Sequence, residues 1–314
     1  MKNRVYFRLA CCALIVLSCL IAIYPTKQYI KFASTEPKND FIKWIDFNAS
    51  AETIHKTIAL VNHLDNEPEY TKADFYDILS YLSIQNGNKF ERFSDNKVLK
   101  TLKTKLEKGI NPIENYKDNK NFKYFVESNK AVLGGIVGYI NDDDTGLKHF
   151  GIIGYHPITK GYWYNNFDDF GNSRIFGYKR LHLGNDLFGN IGTPIMAIEG
   201  GTIQELGWNR FGGWRIGIRS HDTKRYYYYA HLRNKNPYPK ELKKGDTVTA
   251  GQLIGFLGNT GYGKEGSTIK NAKPHLHLGL QIIFDPSQEK GPKEIWVDVY
   301  QLVRLLYNYR AIVD

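Results

Sequence analysis

Cysteine is almost absent. Its three copies, Cys11, Cys12 and Cys19, all fall in the first 19 residues. No disulfide can therefore staple the rest of the chain. At about 290 residues, that remainder is long enough to bury an ordinary core without one. Acidic residues are in deficit: 32 Asp and Glu stand against 42 Lys and Arg, a formal net charge of +10. An anionic partner suits that balance, as does charge that merely keeps a protein soluble. For an exported chain the partner is membrane headgroups, an anionic cell wall or an acidic glycan. No nucleic-acid-binding motif is present, so no nucleic-acid partner is expected. Also missing is a His-Glu-x-x-His motif, and with it the helical glutamate that serves many zinc proteases as base.

One long uncharged run is present. Lys2, Arg4 and Arg8 precede 18 residues without charge, Leu9 to Thr26. The pattern predicts a signal anchor or transmembrane helix over 1–26, basic end inside and the bulk of the chain outside the cytoplasmic membrane. A cleaved signal peptide is the rival and would give a secreted protein. Val16-Leu17-Ser18-Cys19 loosely matches a lipoprotein box, but Leu17 is bulky for that position and the apolar run continues past Cys19.

Residues 27–48 are polar and mixed, a predicted linker. Residues 49–140 read as a small α-helical region. Ser50 can cap a helix with Ile54, Ile58 and Val61 inward. Thr71 can cap a second, stopped by Asn86-Gly87; Ser94-Asp95 opens a third, ended by Gly109; a fourth spans Phe122 to Val132. No charged cluster here has catalytic spacing. A protein partner is the remaining candidate role for this region. From 145 to 314, Gly and aromatic residues recur in short alternating runs, which predict a mainly β domain of packed antiparallel sheets. Predicted strands include Pro194 to Glu199, Thr202 to Leu206, Trp214 to Arg219, Tyr226 to Leu232, Leu253 to Leu257 and His275 to Ile283. A last helix is capped by Asp298.

Four histidines and one aspartate stand out in that β domain. Strand alternation puts His275 and His277 on one face, with Leu276, Leu278 and Leu280 on the other. His182 and Asp186 flank Gly184 in a predicted turn, and His231 ends the Tyr226 to Leu232 strand. Each has a bland reading taken alone. Together they suit one catalytic zinc, which takes three imidazole or carboxylate ligands and leaves a fourth position to water. Two histidines would then remain for proton transfer. Spacing does not say which three are ligands.

Five ordered motifs carry a family resemblance. They are His182-x-Gly184-x-Asp186, Tyr229-Ala230-His231-Leu232, the Gly245 to Gly255 turn, Gly258-Asn259-Thr260-Gly261 and Pro274-His275-Leu276-His277. In this order they resemble the lysostaphin/LytM-type zinc metallopeptidases. Asp168 to Arg174 is similar to that family's Phe-Gly-x-Arg segment. The resemblance implies a lysostaphin-like duplicated hybrid motif as the fold of 145–314 and peptidoglycan as substrate, cut in a stem peptide or cross-bridge. It implies His182, Asp186 and His277 as ligands of one Zn2+, with His231 and His275 as the catalytic pair. It leaves open a second reading, a catalytically silent extracytoplasmic scaffold or hydrolase activator on the same fold; such proteins usually lack a site residue, and here all five positions are filled. The Gly245 to Gly255 turn also occurs in lipoyl carriers, a reading that leaves the histidines unexplained. Two departures stand out: a long stretch from Tyr262 to Lys273, expected at the groove wall, and Gly279 where many members have Glu.

Overall fold

Polar caps set the helices. The computed structural model describes residues 42–313 apart from 91, 143–145, 177 and 271. The segment predicted as a membrane helix, 1–26, lies outside them. Among the described residues no helix is long and apolar enough to cross a membrane. In α1 (Ala51–Asp65), Ser50 accepts the Thr53 N–H at 3.1 Å, and Ile54, Ile58 and Val61 are buried. In α2 (Phe75–Gln85) the cap is Asp74, not Thr71: its carboxylate accepts the Tyr76 N–H at 2.9 Å. Asp74 directly precedes the first helical residue, where a side-chain oxygen reaches the free amides. The Thr71 N–H turns instead to the Leu106 carbonyl. Helix α3 (Arg92–Glu107) starts two residues ahead of Ser94, and Asp95 is buried, accepting from Thr53 Oγ1 at 2.8 Å. A 3-10 turn (Pro112–Tyr116) leads to α4 (Lys120–Leu133), capped by Asn119.

The helices share a core with the strands. Phe41–Asp314 is one compact unit. The first hairpin, β1 (Val137–Asn141) with β2 (Lys148–Ile152), packs under α1 and α2. There the Asn62 amide exchanges two hydrogen bonds with the Phe150 backbone, at 2.7 and 2.8 Å, and Phe75 meets the Phe150 ring at 5.0 Å.

The remainder is mainly antiparallel β-structure. Its strands are β3 (Tyr164–Asn166), β4 (Ser173–Phe176), β5 (Tyr178–Leu181), β6 (Asn185–Gly189), β7 (Pro194–Met196), β8 (Gly201–Asn209), β9 (Gly213–Ser220), β10 (Arg225–Ala230), β11 (Thr247–Val248), β12 (Leu253–Phe256), β13 (His275–Ile282) and β14 (Ile295–Val297). The main sheet runs β11-β8-β9-β10-β13-β6-β3. Strand β13 pairs with β10 along one edge; its other edge pairs first with β6 and then with β14. Leu276, Leu278, Leu280, Tyr227 and Tyr229 fill the core face of these strands. The opposite face, carrying His277, Gln281, Tyr226 and Tyr228, opens into a cleft. The closing helix α5 (Tyr300–Leu305) follows Asp298, whose carboxylate accepts the Tyr300 N–H at 2.8 Å.

Candidate metal centre and cleft

Sheet register assembles the site. His277 lies directly opposite Asp186 on β6 and Ala230 on β10; His275 lies opposite Phe188. Asp186 is thus a strand residue, while His182 sits in the turn just before it. His182 Nε2, Asp186 Oδ1 and His277 Nδ1 converge: 2.8 Å separates the two nitrogens, and the carboxylate oxygen is 3.0 and 3.2 Å from them. Among the described residues this is the cluster of three able to hold a metal ion.

The donor set fits zinc. Ligand bonds of about 2.0–2.1 Å in a tetrahedron require neighbouring ligand atoms roughly 3.3 Å apart. The observed edges are close to that. Two imidazole nitrogens facing each other and a carboxylate also call for a cation between them. Residues outside the cluster fix its orientation. His182 Nδ1 lies 3.0 Å from the Asp169 carbonyl and 3.3 Å from its carboxylate, so Nδ1–H donates there and Nε2 is the atom turned towards Asp186 and His277. Asp169 Oδ1 accepts the Asp186 N–H at 3.1 Å. Arg174 Nη2 reaches Asp169 Oδ2 at 2.6 Å and Asp186 Oδ2 at 3.3 Å.

Protonation follows from these contacts. Burial disfavours a charged His182, but Asp169 and then Asp186 outweigh it and hold its pKa at about 9. Burial likewise opposes the Asp186 charge; its bonds to His182 and His277 prevail and keep its pKa well below the usual carboxylate range. His277 is pushed down by burial, partly offset by Asp186.

His231 and His275 flank the cluster. Their rings are 4.8 Å apart, and His231 is 5.9 Å from His277. His231 Nδ1 lies 2.7 Å from the Thr260 carbonyl, and His275 Nδ1 is 2.7 Å from the Lys273 carbonyl. Carbonyl oxygens only accept, so both Nδ1 atoms carry hydrogen, and Nε2 is the atom of each ring that a neutral tautomer leaves with a lone pair. Burial, and then the neighbouring His275 and His277, push the His231 pKa well below its ordinary value. His231 also has φ +61°, in the left-handed region. Strand alternation after Ala230 would send residue 231 to the core face with Tyr229. The left-handed turn brings its ring to the His275 side instead.

Two hollows adjoin this cluster. One, of about 820 Å3, is lined by His182, Asp186, His231 and His275 and walled by Ser267 to Lys270 and by Tyr262, as expected of the long Tyr262 to Lys273 stretch. The other, of about 740 Å3, runs along the sheet face from His277 past Tyr228 to Gln281 and Trp296. Trp296 explains Gly279. A Cβ at 279 would meet the indole at 2.7 Å and the Leu183 carbonyl at 3.0 Å. The space a glutamate would need holds an aromatic ring.

All five residues singled out in the sequence meet here. The supporting residues Asp169, Arg174, Arg180 and Trp296 were not picked out by sequence reasoning. Only the Phe-Gly-x-Arg likeness around Asp169 and Arg174 pointed to any of them. The other histidines lie elsewhere. His156 is fully buried against Tyr164, and His63 pairs with Glu107.

Residues 180–289 match the model of Peptidase family M23. The L-Ala–D-Glu endopeptidase of Bacillus subtilis is 38% identical over 179 residues, covering 55% of this chain and 51% of that protein. Lysostaphin of Staphylococcus staphylolyticus is 42% identical over 99 residues, covering 31% of this chain and 18% of its own length. The chain therefore spans about half the length of the first of these curated relatives and less of the second. Among solved structures, a Ruminococcus gnavus protein provisionally named a glycyl-glycine endopeptidase lytM superposes with a TM-score of 0.51 at 22% identity. The match covers 83% of this chain and 92% of that one and establishes a common fold.

Proposed function

We propose that this chain, whose residues 180–289 match the model of peptidase family M23, is a zinc-dependent endopeptidase that cuts peptide bonds in bacterial peptidoglycan. The observation that carries this reading is the convergence of three possible ligand atoms, on His182, Asp186 and His277, beside two histidines whose Nδ1 atoms are held by backbone carbonyls, with His275 Nε2 3.9 Å from Asp186 Oδ2. The bond cut lies in the stem peptide, as the name of the L-Ala–D-Glu relative suggests, or in a cross-bridge. The apolar run Leu9 to Thr26 supports a tether that keeps the enzyme on the outer side of the cytoplasmic membrane.

His182, Asp186 and His277 would hold the zinc, which when bound supplies Lewis acidity and water activation near neutral pH. The chain's own residues do the rest. Asp169 and Arg174 lock the orientation of His182 and Asp186. Thr260 and Lys273 fix the tautomers of His231 and His275. In its neutral form either ring can take a proton at Nε2 from the attacking water. Once protonated, the same Nε2–H donates to an oxyanion or to the leaving amine. The two rings divide these tasks. The walls on either side of the pair hold the extended peptide.

The test is digestion of purified peptidoglycan by the full chain, with released fragments weighed by mass spectrometry. Fragments should appear, vanish on chelation, and fall on the order of 10²-fold or more in His231→Ala, the scale of general-base catalysis. Intact walls from several chemotypes, with zinc bound, would overturn the enzymatic reading in favour of the scaffold.

A further inference from the structure

The sheet-face cleft holds an arginine whose charge, among the described residues, no carboxylate balances. Its neighbours are different: Arg215 meets Glu205 at 3.4 Å, and Arg219 meets Glu289 at 3.2 Å. Arg180, on β5, lines the same cleft beside His277 and among the described residues meets no carboxylate. Its Nη2 donates to the Tyr262 hydroxyl. Its guanidinium stands 5.1 Å from the Phe211 ring centroid and 5.3 Å from that of Tyr262. Its Nε–H is buried without any hydrogen-bond partner.

Position makes this informative. Tyr262, which holds Arg180, stacks on His231 with ring centroids 5.8 Å apart. Arg180 therefore lies one side chain away from a histidine of the proposed catalytic pair, where the two hollows adjoin. A guanidinium stays charged at every relevant pH. Partly withdrawn from water and gripped by two rings, it is oriented before any ligand arrives. That arrangement favours a carboxylate, with which arginine forms its strongest and most directional hydrogen bonds. A neutral, glycine-like peptide would leave the charge unanswered.

We propose that Arg180 is a specificity residue that reads a carboxylate on the peptide beside the scissile bond. The enzyme would then prefer stem peptides with a free acidic side group over their amidated or uncharged counterparts. This rests on the reading of the cleft as the peptide site of a peptidoglycan hydrolase.

The test uses two probes that differ in one group: the tetrapeptide L-Ala-γ-D-Glu-L-Lys-D-Ala with a free α-carboxylate, and the same peptide α-amidated. Binding to the zinc-loaded His231→Ala chain is measured by calorimetry, so turnover plays no part. The carboxylate peptide should bind on the order of 10- to 100-fold more tightly, the range for a hydrogen bond to a charged group. Arg180→Gln should collapse that ratio towards one, and Arg180→Lys should restore part of it. Equal affinity for the two peptides, no binding of either, or a ratio that survives Arg180→Gln while both affinities fall would overturn the proposal. The last outcome would mean that Arg180 only positions Tyr262. Wall digestion is scored separately: fragments released by a chain that does not discriminate the peptides sink Arg180 alone, and discrimination by a chain that cuts nothing sinks the catalytic reading alone.

Discussion

Arg225→Met should be among the most damaging single changes outside the cleft. Arg225 is 1% exposed and sits at the start of β10. Its Nε and Nη2 grip Glu199 at 2.7 and 3.0 Å, Nη2 also reaches Asp222 at 2.7 Å, and Nη1 donates to the Ala131 carbonyl of α4 at 2.9 Å. Methionine replaces the aliphatic stem with little loss of packing. It leaves the Glu199 carboxylate buried, held only by the Tyr227 hydroxyl at 2.8 Å. Stranding one member of a buried pair costs about 3–5 kcal/mol. At roughly 2–4 °C per kcal/mol for a domain near this size, a loss of about 4 kcal/mol lowers Tm by roughly 8–16 °C. Urea unfolding followed by tryptophan fluorescence measures it. The control is the double variant Arg225→Met/Glu199→Gln, in which no charge is stranded and over half of the loss should return. A single-variant loss below about 1 kcal/mol, or a double variant no better than the single, would refute the claim that the buried carboxylate is what makes the change harmful.

Other outcomes follow from the same geometry. His182→Ala and His277→Ala should each lose zinc by elemental analysis of the purified chain; full occupancy in either would remove that residue from the ligand set. Gly279→Ala should destabilise the fold by about 1–3 kcal/mol through overpacking, with partial rescue by Trp296→Leu; an unchanged Tm would show that the Trp296 ring does not hold its place. Stability should fall with acid because burial holds the His156 pKa at about 3, against an ordinary 6.5. Between those values the unfolded chain binds the extra proton and the folded chain does not, so this contribution is complete above pH 6.5 and shrinks as pH drops towards 3. His156→Phe should flatten that part of the stability–pH curve, and an unaltered slope would rule His156 out as its source.

The five residues of the candidate site were legible because all of them sit in short motifs whose spacing survives any detail of packing. Alternation along His275 to Ile282 correctly divided histidines from leucines, since the strand is regular and one face is dry. The helices were found by apolar periodicity, but the start of α2 was misplaced because Thr71 and Asp74 are both able caps and only position relative to the first turn decides between them. What stayed hidden were contacts that come from distant segments. Asp169 reaches His182 across 13 positions, and Arg180 reaches Tyr262 across 82. No local pattern encodes such meetings. The eight-stranded pairing was likewise beyond the pattern, as several of its strands have only two or three residues and are held by neighbours rather than by propensity.

The left-handed backbone at His231 bears on how activity is judged across related chains. Silence is usually diagnosed from a missing ligand or catalytic residue. Here one dihedral separates a ring in the cleft from a ring in the core. That dihedral is held by the His231 N–H bond to the Gly212 carbonyl at 2.7 Å and by the close approach of Gly261, where any Cβ would come within 2.5 Å of the Phe211 carbonyl. A relative with all five site residues and a bulkier residue in place of Gly261 would keep its inventory and lose its geometry. Counting conserved ligands would score such a protein as an enzyme, and its backbone would say otherwise.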